Sequence, residues 1–357
     1  MLHNVGLQLN LNVPVTSKSK TNIENKKVND LNYPDISVII VTPDSFETIS
    51  KTIDCLRKQT AKDRIEVVIV APSADRLNLN NSVLNDFPKM KVVQIGTIES
   101  RAVGNAAGVR QATAPVAVLA EDHSFPDPRW AEALIRAHRQ PWAAVGPVVR
   151  NANPDSALSW ADLVISYGPW LDPTPAGVAS HLPGHNCSYK RGILLEYRDK
   201  LESMLEAESV LHWDLRSKEF QIYLEPEAKI SHINFSLLSS WIRVRFIAGR
   251  YFAASRSINW PLFKRIMYTV ATPLIPFIRF SRTILNMYRP GRLQNLPLSM
   301  KLRIVVAMIL GLILDGAGQS TGYAMGYGDS KEKMLKYEFH RYRHLSKKDK
   351  VRYDFKD

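Results

Sequence analysis

Three short apolar runs in the first third of the chain each stop abruptly at a polar break. ISVIIV (36–41) runs into TPDS, IEVVIV (65–70) into APSAD, and PVAVLA (115–120) into EDHSFPDP, while KVVQIG (91–96) is a fourth run of the same kind. Each is too short for a buried helix and rich in β-branched residues. None shows the alternation of a strand with one wet face, so each predicts a strand buried on both sides. Residues 49–58, with Ile49, Ile53 and Leu56 on one stripe, predict a helix, as do 101–112 and 129–139. Strands alternating with helices specify an α/β fold, a mostly parallel sheet sandwiched by helices. Ligands of such sheets bind beyond the carboxyl ends of the strands, and the three polar breaks then share that edge.

The second half reads differently. AAVGPVV (143–149) predicts a further strand, HLPGHNCSYKRGILLEY (181–197) a Gly/His-rich loop entering a helix, and FQIYLEPEAKISHINFS (220–236) paired short strands. Beyond these come helices rich in arginine and aromatics, interrupted by Pro261, Pro273, Pro276, Pro290 and Pro297. The 357-residue chain carries a formal net charge of +13. Nearly all of that excess lies between Lys229 and Asp315, where there is no acidic residue but Arg243, Arg245, Arg250, Arg256, Lys264, Arg265, Arg279, Arg282, Arg289, Arg292, Lys301 and Arg303 occur. Such a field suits nucleic acid, an acidic substrate or an anionic membrane surface. No helix-turn-helix spacing, zinc finger or aromatic single-strand platform accompanies it, so no nucleic-acid partner is expected.

WIRVRFIAGRYFAASR (241–256) puts Trp241, Val244, Ala248 and Tyr251 near one face with arginines on the flanks, the pattern of a helix lying in an anionic membrane interface. A basic dimerisation surface is the competing reading and leaves a homo-oligomer open. The strongest apolar core, IVVAMILGLIL (304–314), has 11 residues, whereas a spanning helix needs roughly 20. Extending it takes in Asp315 and four glycines, so peripheral or re-entrant attachment is expected. The expected division is a flexible polar arm (1–33), a catalytic-sized domain (34–236), a basic helical membrane-associated region (237–328) and a charged C-terminal tail (329–357). Residues 1–33 contain no apolar core of the signal-peptide kind, which points to the cytoplasmic face of the cell membrane. Cys55 and Cys187 show no metal-ligand spacing; a reduced environment is the simplest reading, and a disulfide between them stays open.

Glu121, Asp122 and His123 follow directly on a buried strand. Carboxylates beside an imidazole suit a divalent cation, Mn2+ or Mg2+, which neutralises phosphate and holds a leaving group. SFPDP is also good turn material, so the triplet equally suits a local cap.

The order and spacing of ISVIIVTPDSFETISKTIDCLRKQT, IEVVIVAPSAD, SRAVGNAAGVRQA, VLAEDHSFPDPRW, GHNCSYKRGIL and LEAESVLHWDLRSKEFQIYLEPEAKISH resemble those of a family 2 glycosyltransferase, over residues 35–235. The resemblance implies a GT-A type nucleotide-diphospho-sugar transferase fold. It also implies an inverting, metal-dependent transfer of sugar from a nucleotide-diphosphate donor to a lipid-linked or cell-surface polysaccharide acceptor. A non-catalytic scaffold or interaction subunit of the same fold is the alternative. Glu121 and His123 fall on the two ends of the family's Asp-x-Asp motif. Glu121, Asp122 and His123, with the late His232, are thereby implied as metal ligands, and Glu121 and Asp122 as donor-binding. Where the family carries a base-holding aspartate this chain has Ala71 and Pro72, which leaves Ser73 and Asp75, or Thr42, Pro43 and Asp44, to the donor. Arg101 and Asn105, four apart on one helical face, are implied near the diphosphate. Counting back from FQIYLEP puts Glu208 on the catalytic base, with Glu206 as the alternative. PGHNCSYKR places Gly184, His185, Asn186, Lys190 and Arg191 on the acceptor side. Trp142, Trp160 and Trp170 either stack on a sugar ring or fill the core.

Overall fold

The computed structural model describes residues 33–79, 83 and 85–353. The expected arm, residues 1–33, lies outside the described residues apart from Tyr33. Among the described residues nine strands form one sheet: β1 (Ile36–Val41), β2 (Ile65–Ala71), β3 (Lys89–Gln94), β4 (Val116–Ala120), β5 (Ser124–Pro126), β6 (Ala144–Asn151), β7 (Gly177–Val178), β8 (Ser188–Lys190) and β9 (Ile222–His232). Their order is β3-β2-β1-β4-β8-β6-β9-β5, with β7 also on β9. β1, β2, β3, β4, β6 and β9 run one way, while β8, β5 and β7 run against them. The sheet is therefore mixed rather than mostly parallel. The chain re-enters it from the carboxyl edge through residues 181–187, so β8 has to run back between β4 and β6.

The paired short strands expected over 220–236 are one strand, β9. Its register against β6 jumps between Pro147 and Val148, from Glu225 to Lys229. Pro147 and Pro226 each lack an N–H for the ladder, so the interruption is a bulge inside one strand rather than a hairpin.

The sheet is covered on both faces. Ile36, Val38 and Ile40 pack toward α1 (Ser50–Arg57), while Ile39 and Val41 point the other way. A short α2 (Ala74–Leu77) follows β2. The second face is covered by α3 (Arg101–Gln111), and the first by α4 (Trp130–Ala137) and α5 (Ala157–Tyr167). After β8 come α6 (Arg191–Leu195), α7 (Leu201–Leu205) and α8 (Glu208–Ser217), which complete the second face. The small residues of SRAVGNAAGVRQA have a packing reason. A Cβ on Gly104 would lie 2.5 Å from Val41 Cγ1, and one on Gly108 2.3 Å from Ile39 Cγ2. Only a glycine face lets α3 lie this close to β1, which brings Arg101 to the carboxyl edge.

The rest of the chain is helical: α9 (Leu238–Ser257), α10 (Leu262–Ala271), α11 (Ile275–Met287), α12 (Leu298–Met325), α13 (Ser330–Phe339) and α14 (Lys347–Arg352). Residues expected as a charged tail thus fold as α13 and α14, with Phe339 and Arg341 buried. α9 crosses α12 at backbone contact. A Cβ on Gly249, Gly318 or Gly322 would meet the carbonyl oxygen of Asp315, Phe246 or Arg250 at 2.2, 2.0 and 2.4 Å. This crossing overturns the expected interfacial face of α9: Trp241 and Val244 are fully buried, and Tyr251 donates its hydroxyl to Glu206. The apolar stripe of α9 has a protein partner and none is left for lipid. Several arginines of the basic stretch are also engaged internally: Arg245 with Asp162 at 3.0 Å, Arg279 with Asp315, and Arg292 with the carbonyl of Gly168 at 2.7 Å. Among the described residues no helix is long and apolar enough to cross a membrane. Cys55 and Cys187 are both free, so no disulfide joins them.

Candidate active site

The site grows from the carboxyl edge of β4. Glu121 leaves that strand almost fully buried, and its carboxylate is held from several sides. Asn186 donates to Oε2 at 2.9 Å, Ser124 to the same oxygen at 2.8 Å, and Arg101 to Oε1 at 3.0 Å. Asn186 can do this because it adopts a left-handed backbone (φ 59°), a conformation asparagine tolerates better than most residues. Burial alone would raise the Glu121 carboxyl, but the charges of His185 and Arg101 outweigh it and hold the group well below the usual carboxylate range.

Two buried imidazoles flank this carboxylate in the same manner. His123 Nδ1 bonds Asp122 Oδ1 at 2.6 Å, and His232 Nδ1 bonds Asn234 Oδ1 at 2.9 Å. Both partners accept, so each Nδ1 carries a proton and donates it. Neither Nε2 has a hydrogen-bond partner. They lie 3.7 and 3.6 Å from the Glu121 oxygens, and the two rings are 4.9 Å apart. Burial pushes His232 down to about 3, so it stays neutral at pH 7. A carboxylate between two imidazole nitrogens whose other ring atoms are fixed by hydrogen bonds can hold a divalent cation. Asp122 is not among the converging groups. It sits behind His123 and orients that ring, and burial raises its carboxyl.

Across Glu121 lies a second set built on Arg101. Its guanidinium reaches Glu208 at 3.1 Å and stands 3.9 Å from Glu338. His185 Nδ1 is 3.3 Å from Glu208, and His185 Nε2 is 3.0 Å from Arg101. Gly184 leaves room for this arrangement, since a Cβ there would fall 2.6 Å from Glu208 Oε2. Burial favours the neutral form of Glu208, but His185 and Arg101 override it and bring the carboxyl to about 2. Glu338 is likewise brought to about 2, burial being outweighed by Arg341 and Arg101. A cavity of about 260 Å³ opens beside Glu208 and His232, with Trp170, His181 and Gly184 in its wall.

The remaining sequence candidates divide clearly. Thr42 and Asp44 sit beyond β1, where Thr42 Oγ1 accepts from the Asp44 N–H at 3.2 Å and Asp44 meets His340 at 2.9 Å; Pro43 lies between them. Ser73 caps α2 by accepting from the Arg76 N–H, and Asp75 is exposed on that turn. Asn105 is buried on α3 with its Oδ1 unpartnered. Glu206 is tied to Ser100 and Lys331, each at 2.8 Å, and to the Tyr251 hydroxyl. Lys190 and Arg191 are not brought to the site. Because β8 runs antiparallel, Gly184–Asn186 enter it at the carboxyl edge and Lys190 leaves at the opposite one. There Arg191 donates to the carbonyls of Val109 and Arg110 at 2.9 and 3.1 Å. Of the three tryptophans only Trp170 lines the cavity; Trp142 stacks on Tyr223 and Trp160 donates to the Pro154 carbonyl. Glu338 and Arg341, absent from the sequence reading, were hidden by distance along the chain: they lie more than a hundred residues beyond Arg101 and Asp162, Glu338 in the charged helix α13 and Arg341 just after it.

The sequence model described as glycosyl transferase family 2 matches residues 37–198, which hold Glu121, His123, Arg101 and His185. Residues 37–198 form a glycosyl transferase family 2 domain. It is a nucleotide-sugar-dependent glycosyltransferase on a GT-A fold with a mixed sheet. No curated protein matches it. Solved structures similar to this family 2 glycosyltransferase include a mannosyltransferase from Pyrobaculum calidifontis in complex with GDP-Man and Mn2+. That one is 15% identical, covers 80% of this chain and 87% of its own, and has a TM-score of 0.46. Another is TarS 1–349 from S. aureus in complex with UDP, 17% identical over 84% of this chain and 92% of its own, with a TM-score of 0.44.

Proposed function

We propose that the chain catalyses an inverting, metal-dependent transfer of a sugar from a nucleotide-diphosphate donor to a hydroxyl of a saccharide or lipid-linked acceptor. The observation that carries this reading is the pair of buried Nε2 atoms without partners beside Glu121. Two such nitrogens are costly to bury unless something engages them. Glu121, His123 and His232 would hold Mn2+ or Mg2+, as nitrogen and oxygen donors suit. When bound, the ion supplies positive charge against the donor diphosphate.

The chain's own residues supply the rest. Arg101 faces the same space and offers its charge to the diphosphate, while Asp122 and Asn234 keep the two imidazoles aimed. An acceptor in the cavity beside Trp170 presents its hydroxyl to Glu208. The hydroxyl oxygen bonds to the anomeric carbon as the bond to the diphosphate oxygen breaks, and Glu208 takes the proton. A single displacement of this kind inverts the anomeric centre. A carboxyl near 2 is a weak base, and the donor itself corrects this. His185 and then Arg101 depress Glu208, and an arriving diphosphate that competes for Arg101 relieves that second part. Glu206, held by three donors, is not free to act this way.

A screen of UDP- and GDP-sugars with Mn2+, reading release of the nucleoside diphosphate, tests the reading. Turnover that disappears in Glu208→Gln while nucleotide affinity persists is the expected outcome. Tight nucleotide binding with no turnover of any donor would instead favour the non-catalytic scaffold.

A further inference from the structure

We propose that the outward face of α10, α11 and α12 seats on the surface of an anionic lipid bilayer. This goes beyond the transfer reaction and does not rest on it.

Each of these helices turns an apolar stripe to solvent. On α10 the stripe is Leu262, Phe263, Ile266, Met267 and Val270; on α11, continued from Leu274, it is Phe277, Ile278 and Leu285. On α12 it is Leu298, Leu302, Val306, Ile309, Leu310 and Ile313. The spacings are those of one helical face, yet that face is the exposed one. Phe263, Val270 and Phe277 are 77%, 74% and 75% exposed. Scattered apolar residues on a surface need no explanation, but three neighbouring helices with their apolar stripes outward do. The stripes of α11 and α12 meet at an apolar groove of about 650 Å³ lined by Pro273, Pro276, Phe277, Phe280, Ile309 and Ile313.

Charge decides what covers this surface. Between residues 230 and 314 there is no acidic side chain. Eight of the twelve cations there are turned inward or engaged within the fold, Lys264 over the Trp260 ring and Lys301 on the Gln294 carbonyl among them. Arg282, Arg289 and Arg303 remain exposed on the stripe-bearing helices, with Arg243 exposed on α9. A two-fold dimer built on this face would set the same cations near one another, with no acid to relieve them. Anionic headgroups answer them, and acyl chains answer the stripes. The attachment thus falls on helices other than α9, whose stripe is already consumed by α12.

The test uses the full chain and sedimentation with phosphatidylcholine vesicles, with and without phosphatidylglycerol. The triple variant Phe263→Glu, Val270→Glu, Phe277→Glu alters only exposed positions, and an unchanged thermal melt confirms its fold. The wild type is expected to sediment with the anionic vesicles. It should bind neutral vesicles about tenfold more weakly or worse, as loss of several arginine–headgroup contacts implies. The triple variant should lose binding to both. A wild type that stays in the supernatant with both vesicles, or a triple variant that binds as well as wild type, overturns the proposal. So does a stable wild-type dimer by light scattering that the triple variant dissociates while neither binds vesicles; the face would then belong to a second copy.

Discussion

Replacing Gly184 by alanine tests whether the position of the Glu208 carboxylate sets the rate. Gly184 does not occupy the left-handed region, so alanine suits its backbone. The added Cβ would sit 2.6 Å from Glu208 Oε2, 2.8 Å from Cδ and 3.0 Å from Cβ, where ordinary contact begins at 3.4 Å. The carboxylate must therefore retreat by about 0.8 Å from its place between Arg101, His185 and the cavity. Misplacing a reacting group by about 1 Å can cost roughly 100-fold in rate, some 2.7 kcal/mol of barrier. Gly184→Ala is expected to lower kcat by about 30- to 100-fold with the affinity for nucleoside diphosphate unchanged. The assay is release of nucleoside diphosphate from the donor, in four proteins: wild type, Gly184→Ala, Glu208→Gln and the double variant. If the alanine acts through Glu208, adding it to Glu208→Gln costs nothing further. Equal losses in both backgrounds would show that the damage lies elsewhere. A Gly184→Ala enzyme within about twofold of wild type would remove Glu208 from the reaction.

Two further outcomes concern the scaffold. Gly318→Ala drives a Cβ to 2.0 Å from the Phe246 carbonyl oxygen, which backbone cannot yield cheaply; urea unfolding should show a loss of about 2 kcal/mol despite alanine's better helix propensity, and no loss would mean that α9 and α12 are not in backbone contact. Buried His138, which donates from Nε2 to Ser188 at 2.8 Å, is pushed by burial down to about 3. A depressed histidine stabilises the fold fully above its unfolded value near 6.5, and that contribution is lost as pH falls from about 6.5 toward 3. The loss should reach roughly 3 kcal/mol at pH 4, and His138→Gln should flatten the stability-versus-pH curve over that window; an unchanged slope would assign the acid sensitivity to other groups.

Much of this molecule was legible in the sequence because β1, β2 and β4 are buried on both faces. Such strands must read as unbroken apolar runs, and their ends must be polar. The breaks after Val41, Val70 and Ala120 therefore pointed to one edge, and Glu121, His123 and His232 do converge there. What stayed hidden depends on contacts that leave no local trace. The three residues of β8 are too few to set a period, so nothing marked its reversed direction, and Lys190 and Arg191 were assigned to the wrong edge. The division of labour within Glu121-Asp122-His123 turns on which way a ring faces. Only coordinates show Asp122 behind His123 rather than beside Glu121. The apolar stripe of α9 is the same pattern whether lipid or another helix covers it. Glu338 and Arg341 sit in a segment whose composition is that of a solvated tail, and only folding brings Glu338 to Arg101 and Arg341 to Asp162.

The central claim is a divalent-cation nucleotide site at Glu121, His123 and His232, and isothermal titration of UDP and GDP into the full chain measures it. The titration is run with Mn2+ and with chelator, on wild type and on His123→Ala and His232→Ala. At least one nucleotide should bind wild type only when Mn2+ is present. Each histidine variant should weaken that binding by about tenfold or more while retaining whatever affinity remains in chelator. Nucleotide affinities that are the same with Mn2+ and with chelator, or the same in wild type and both variants, would contradict the claim.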